Sequence, residues 1–149
     1  MPFEFLIIDL PDLQKSIGTD KGLAKIGDNV VNLSYSLAKS IHLTKNNLQN
    51  KTVRTGLKVN KTILANALKN ADMKKTFAKT RADAHDLADT VEALIAYVWI
   101  SNKMTLNEIV SFLTEHLAGD LTIRSQEIEK ATNAFTNLLV YMKKFLPDK

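Results

Sequence analysis

Asp89 and Glu92 stand inside the most apolar run of the chain, Asp86-Leu87-Ala88-Asp89-Thr90-Val91-Glu92-Ala93-Leu94-Ile95-Ala96-Tyr97-Val98-Trp99-Ile100. Their spacing places both carboxylates on one face of a helix, with His85 one turn before Asp89. Leu87, Val91, Leu94, Ile95, Val98 and Trp99 cover most of the remaining circumference, so this helix is expected to be largely buried. Unpaired carboxylates are costly there. Three arrangements would relieve them: buried basic partners, exposure on one polar stripe, or a shared divalent cation.

The elements that position such a pair are expected to be helices. Five glycines and three prolines occur, with Pro2, Pro11 and Pro147 near the ends, so the interior lacks the punctuation that closely spaced strands need. A first long helix is expected from about Asp20 to His42, because Leu23, Ile26, Val30, Leu33, Leu37 and Ile41 recur every three or four residues. Asp28 lies opposite that stripe beside Ala24, Val31 and Tyr35, which gives this helix two apolar-leaning sides and a central place. Shorter helices are expected at Thr44 to Asn50 and at Val59 to Asn70, the latter with Val59, Ile63, Leu64, Ala67 and Leu68 inward. After the helix of Asp89 and Glu92, Thr105-Leu106-Asn107-Glu108 has the form of a capping box opening a helix to about Leu117, which Gly119 can close. A last helix, about Gln126 to Leu146, carries Ile128, Ala131, Phe135, Leu138, Met142 and Phe145 as a core-facing stripe.

With 149 residues, 45% of them apolar, the chain suits one domain, residues 1–149. It contains no cysteine, which excludes disulfides, thiolate zinc sites and a cysteine nucleophile. Glu4 and Asp9 interrupt the apolar residues at the start, no basic segment precedes them, and no apolar run reaches spanning length. A soluble, cytoplasmic protein without a membrane partner is expected. The formal charge of +4 hides an asymmetry: residues 39–81 hold eleven Lys or Arg against the single acid Asp72, whereas the rest has nine basic and fifteen acidic residues. A basic segment this lopsided suits nucleic acid.

The string Leu87 to Ile95, Leu-Ala-Asp-Thr-Val-Glu-Ala-Leu-Ile, closely resembles the second signature of the ribonuclease III family. Ile26-Gly27-Asp28-Asn29-Val30-Val31 is similar to the family's earlier Leu-Gly-Asp-Ala-Val signature and stands in the right order at a similar separation. The resemblance covers about Gly18 to Leu117. It implies an all-α nuclease domain forming a two-fold dimer, with Ile26, Val30, Leu33 and Leu37 as candidates for the dimer face. It also implies that Asp28, Asp89 and Glu92 bind Mg²⁺, for which Mn²⁺ can substitute, and cut double-stranded or structured RNA by metal-activated attack of water on a phosphodiester. The usual product for the family carries a two-nucleotide 3′ overhang.

Two departures bear on that expectation. Larger family members carry a glutamate four residues before the first aspartate, where this chain has Ala24, and an acid where it has Lys21. The small bacterial Mini-ribonuclease III group also has alanine there and is active. Larger members also append a double-stranded RNA-binding domain, whereas this chain holds one nuclease-sized unit, so RNA binding is expected from the nuclease domain or from a partner protein. Lys58, Lys61, Lys69, Lys74, Lys75, Lys79 and Arg81 are the candidates for phosphate contacts. His85 shares the acidic face, His42 and His116 are expected on the surface, and Tyr97 and Trp99 in the core or an interface. Besides the nuclease, two other classes are open: a non-catalytic relative that binds RNA or a ribonucleoprotein, and a helical nucleotide pyrophosphatase, which usually pairs two acidic motifs where this chain has one.

Overall fold

The computed structural model describes residues 3–149, so Pro2 lies outside the described residues. Seven α-helices follow in order: α1 (Gln14–Gly18), α2 (Lys21–Lys45), α3 (Lys61–Asn70), α4 (Lys74–Phe77), α5 (Ala84–Ile100), α6 (Leu106–His116) and α7 (Arg124–Met142). Short 3₁₀ turns occupy Glu4–Ile7 and Lys143–Phe145. The fold is all-α, with no strand among the described residues. No helix among them is long and apolar enough to cross a membrane.

Helix starts follow their chemistry. The Asp20 side chain accepts from the Leu23 amide at 2.8 Å to open α2, and Asn60 accepts from the Thr62 amide to open α3. Reciprocal capping boxes open α5, through Asp83 and Asp86, and α6, through Thr105 and Glu108. Helix α5 is the most buried element: Leu87, Val91, Leu94, Ile95 and Val98 are all at most 1% exposed. It packs against α1, α2 and α3, while α7 covers α3 and α6. Tyr97 and Trp99 are half-buried against this core. On α7, Ala131, Phe135, Leu138 and Met142 are fully buried as expected, whereas Ile128 is exposed.

Of the two apolar-leaning sides expected of α2, the one with Ala24, Val31 and Tyr35 is turned inward. Its buried residues are Leu23, Ala24, Gly27, Val30, Val31, Ser34, Tyr35, Ala38 and His42, while Leu33, Leu37 and Ile41 stay exposed. Of the candidates for a dimer face, Val30 is therefore spent in the core of this chain and Ile26 packs partly against it. The reason is closeness. A Cβ on Gly27 would lie 1.8 Å from the Glu92 carbonyl oxygen, so only a face of small side chains lets α2 approach α5 this far. His42 also departs from expectation: it is buried, and its Nε2 lies 2.9 Å from the Gly119 carbonyl oxygen. His116 is half-buried and stacked on Phe112.

The helix expected at Thr44 to Asn50 is absent. Helix α2 runs on to Lys45, and after a turn the chain returns along it as an extended strap, residues 51–60. Polar side chains one helical turn apart hold the strap: Asn32, Ser36, Ser40 and Thr44 accept from the amides of Val59, Leu57, Thr55 and Val53 at 2.7–3.0 Å. The three hydroxyls donate back to the carbonyls of Leu57, Thr55 and Val53. Four helical residues rise about 6 Å and two extended residues about 6.6 Å, so the two repeats stay in step. These bonds satisfy backbone groups that a helix would otherwise have paired with itself.

The close approach at Gly27 is testable. Gly27→Ala is expected to force α2 and α5 apart at a cost of about 3 kcal/mol, lowering the melting temperature by roughly 6–12 °C in calorimetry. An unchanged melting temperature would contradict the packing described.

Candidate active site

Helices α2 and α5 place Asp28, Asp89 and Glu92 on the wall of one cavity of about 510 Å³. Four lysines, Lys21, Lys25, Lys58 and Lys61, and His85 complete its polar lining, with Ala24, Val59 and Leu64 as its apolar part. The three carboxylates expected from the two signatures are thus brought together. So are Lys58 and Lys61 among the seven basic candidates. Lys74, Lys75, Lys79 and Arg81 line a separate groove with Lys15, and exposed Lys69 lines neither.

Each acid has its own surroundings. Asp28 accepts from Asn32 Nδ2 at 3.1 Å, and Asn32 Oδ1 in turn accepts from the Val59 amide, so the strap fixes this carboxylate through one side chain. Asp89 Oδ2 lies 2.9 Å from Lys21 Nζ and 3.4 Å from His85 Nε2. His85 Nδ1 is itself a hydrogen-bond partner of Lys61 Nζ. Lys21 reaches Asp86 as well, at 3.8 Å, and Lys79 pairs with Asp86 at 3.2 Å.

Asp28 and Glu92 form no ion pair among the described residues, unlike Asp89. The Glu92 carboxyl is buried beneath α2 and hydrogen-bonded to Asp28. Burial foremost, then the hydrogen bond and charge of Asp28 and the charge of Asp89, push it up to about 8, against a weaker opposite pull from Lys58. Two carboxylates can share a hydrogen bond only when one of them carries a proton. Glu92 is therefore the member of the pair that keeps a proton near neutral pH, first of all because it is buried.

Does this set suit a divalent ion? Hard carboxylate oxygens on two rigid helices are the right donors for Mg²⁺ or Mn²⁺. As the side chains stand, no group of three His, Asp or Glu among the described residues converges on one point. Asp28 and Glu92 make one half of the site, and Lys21 holds the oxygen of Asp89 that would complete it. The donor chemistry suits such an ion, while the arrangement has Asp89 taken up by Lys21.

Sequence reasoning missed Lys25 in the cavity wall, although it lies one turn before Asp28 on the same helix, and it missed the Lys21–Asp89 pair. Spacing within one helix is visible in a sequence; a partner 68 positions away is not.

The fold and cavity define a helical domain whose acids and lysines meet at one place. The family model for ribonuclease III matches residues 21–147, nearly the whole chain, and the chain belongs to that family of RNA-cleaving nucleases. A search of curated proteins finds no match.

The state of Glu92 predicts a pH dependence. The folded, metal-free chain keeps this proton up to about pH 8, whereas the unfolded chain releases it near the ordinary value of 4.5. Stability is therefore expected to fall as pH rises between those values. Denaturant titrations in EDTA at pH 5.5 and 8.5 should show the wild type losing more stability across that interval than Glu92→Gln; equal losses would contradict the burial described.

Proposed function

We propose that the chain is a Mg²⁺-dependent endoribonuclease acting on double-stranded or structured RNA, with Asp28, Asp89 and Glu92 as the ligands of the ion and Mn²⁺ as a substitute. The observation that carries this reading is the meeting of Asp28 and Glu92, two acids on separate helices, in a cavity ringed by lysines. Such an arrangement leaves a place for a cation that neither helix needs for folding. A bound divalent ion would activate water and offset charge on the scissile phosphate. Asn32 keeps the Asp28 carboxylate aimed into the cavity, and Lys25, Lys58 and Lys61 offer charge to the flanking phosphates of the substrate. Lysine contacts to phosphates carry no sequence code, which suits a duplex recognised by shape.

The exposed stripe of Leu33, Leu37 and Ile41 on α2 supports a two-fold dimer, since one apolar helix face left open in a single chain is the surface an isologous interface covers. Two sites in one dimer would cut the two strands of a duplex.

A second reading, binding without cleavage, is favoured by one observation: Lys21 occupies Asp89, and Ala24 supplies no further carboxylate to the cavity. The two readings separate on an end-labelled RNA duplex at low salt. Wild-type protein is expected to cleave with Mg²⁺ or Mn²⁺ and to stop in EDTA. Glu92→Gln is expected to lower the rate more than about a hundredfold, since even supporting residues around a metal contribute 10–100-fold. Folded protein that binds the duplex and leaves it intact would overturn the nuclease reading in favour of the second.

Lys21→Ala gives an independent readout. Releasing Asp89 from an exposed ion pair removes a competitor worth about 0.2–1 kcal/mol. Mn²⁺ binding measured by calorimetry is therefore expected to tighten by up to about fivefold; weaker binding would instead make Lys21 a support of the site.

A further inference from the structure

The strap of residues 51–60 spends only one of its edges on α2. Val53, Thr55, Leu57 and Val59 are half-buried or buried and turn their amides to the helix, while Thr52, Arg54, Gly56, Lys58 and Asn60 are exposed. No hydrogen-bond partner among the described residues takes the backbone amides of Arg54, Gly56 or Lys58. Lys51 and Arg54 have no ion-pair partner among them either, in contrast to Lys21, Lys39 and Lys79. The strap contains no acid. Its far end, Lys58 and Val59, forms part of the cavity wall, and the Val59 amide holds the Asn32 side chain that aims Asp28.

We infer that the outer edge of this strap is a track for the RNA backbone, leading from Arg54 past Gly56 to Lys58 and into the cavity of Asp28 and Glu92. The inference rests on the reading of RNA as the ligand of this face and assigns where the strand lies beyond the cleavage site. Outward amides with guanidinium and ammonium groups beside them are donors matched to phosphate oxygens. Gly56 leaves the edge open between the two charges, which stand about 13 Å apart on an extended chain. An open strand edge otherwise invites pairing with another chain, and edge cations oppose that. The same positive charge that repels a second copy attracts a polyanion. Because the rungs to α2 fix the edge, phosphate contacts would be made without first ordering a loop.

The test is the salt dependence of duplex RNA binding, measured by fluorescence anisotropy in EDTA with the full chain. Arg54→Glu and Gly56→Asp alter the outer edge and leave the rungs intact; a Cβ at position 56 meets only Ser36 Oγ, at an ordinary 3.8 Å. Lys103→Glu, on an exposed turn outside both the strap and the cavity, is the control for net charge. Arg54→Glu is expected to weaken binding about tenfold at 50 mM salt and to flatten the slope of log K against log salt by about 0.9. Gly56→Asp should weaken it severalfold, and Lys103→Glu by less than twofold. Edge variants that bind like Lys103→Glu, while the wild type binds tightly, would overturn this track and leave the RNA reading standing. A wild type that ignores duplex RNA at low salt would overturn both. A change of oligomeric state in Arg54→Glu with RNA binding unaltered would place a second copy on the edge and overturn the proposal.

Discussion

The contact on which the molecule depends is the approach of Gly27 to the backbone of Glu92. With no side chain between them, the α2 and α5 backbones come closer than two side-chain-bearing faces allow, and the residues beside that contact are drawn together: Asp28 next to Gly27, and the Glu92 side chain itself. The small residues Ala24, Ser34 and Ala38 continue the same face of α2, each at most 5% exposed. Close packing of this kind is stiff, so the backbone of the two helices holds these carboxyl groups side by side.

Two buried acids show what that geometry does. Glu127 on α7 is as hidden as Glu92, and burial alone would push its carboxyl up; yet Lys39, Tyr35 and Arg124 all donate to it, at 2.7, 2.9 and 2.9 Å, and it is held below the ordinary glutamate range. Tyr35 takes the opposite share, its hydroxyl kept protonated first by burial and then by its bond to Glu127. Glu92 has an acid as its hydrogen-bond partner where Glu127 has three donors. One acid is a completed structural joint between α2 and α7. The other has no such set of donors and lines a cavity.

Much of this was written in local spacing. The capping box of α6, the burial of α5, the inward stripe of α7 and the meeting of Asp28, Asp89 and Glu92 all follow from patterns within single helices joined by two signatures. Periodicity gave α2 two apolar-leaning sides without ranking them; the close approach at Gly27 is what turns the side of Ala24, Val31 and Tyr35 inward and leaves Leu33, Leu37 and Ile41 open. Residues 44–50 were misjudged because a run of Asn, Leu and Gln has no strong local preference: Thr44 and Lys45 continue α2, and the rest turns the chain back to the strap that Ser36, Ser40 and Thr44 hold. Lys21 with Asp89, Glu127 with Lys39, and His42 with Gly119 are long-range pairs that no single-helix pattern encodes.

The ladder between α2 and the strap has a consequence for how this chain can vary in length. Rungs recur every fourth residue on the helix and every second on the strap, so the two tracks mesh like gears of matched pitch. Adding or removing one residue between Val53 and Val59 would turn the outward amides inward for every rung beyond the change, and it would unseat Asn32 from Asp28. Even a pair of residues added there would bring a rung with no side chain on α2 to receive it, while the turn at residues 46–50 is free of that arithmetic. Relatives of this chain that keep the ladder should therefore differ in length at the turn and hold a constant count from the first rung to the cavity.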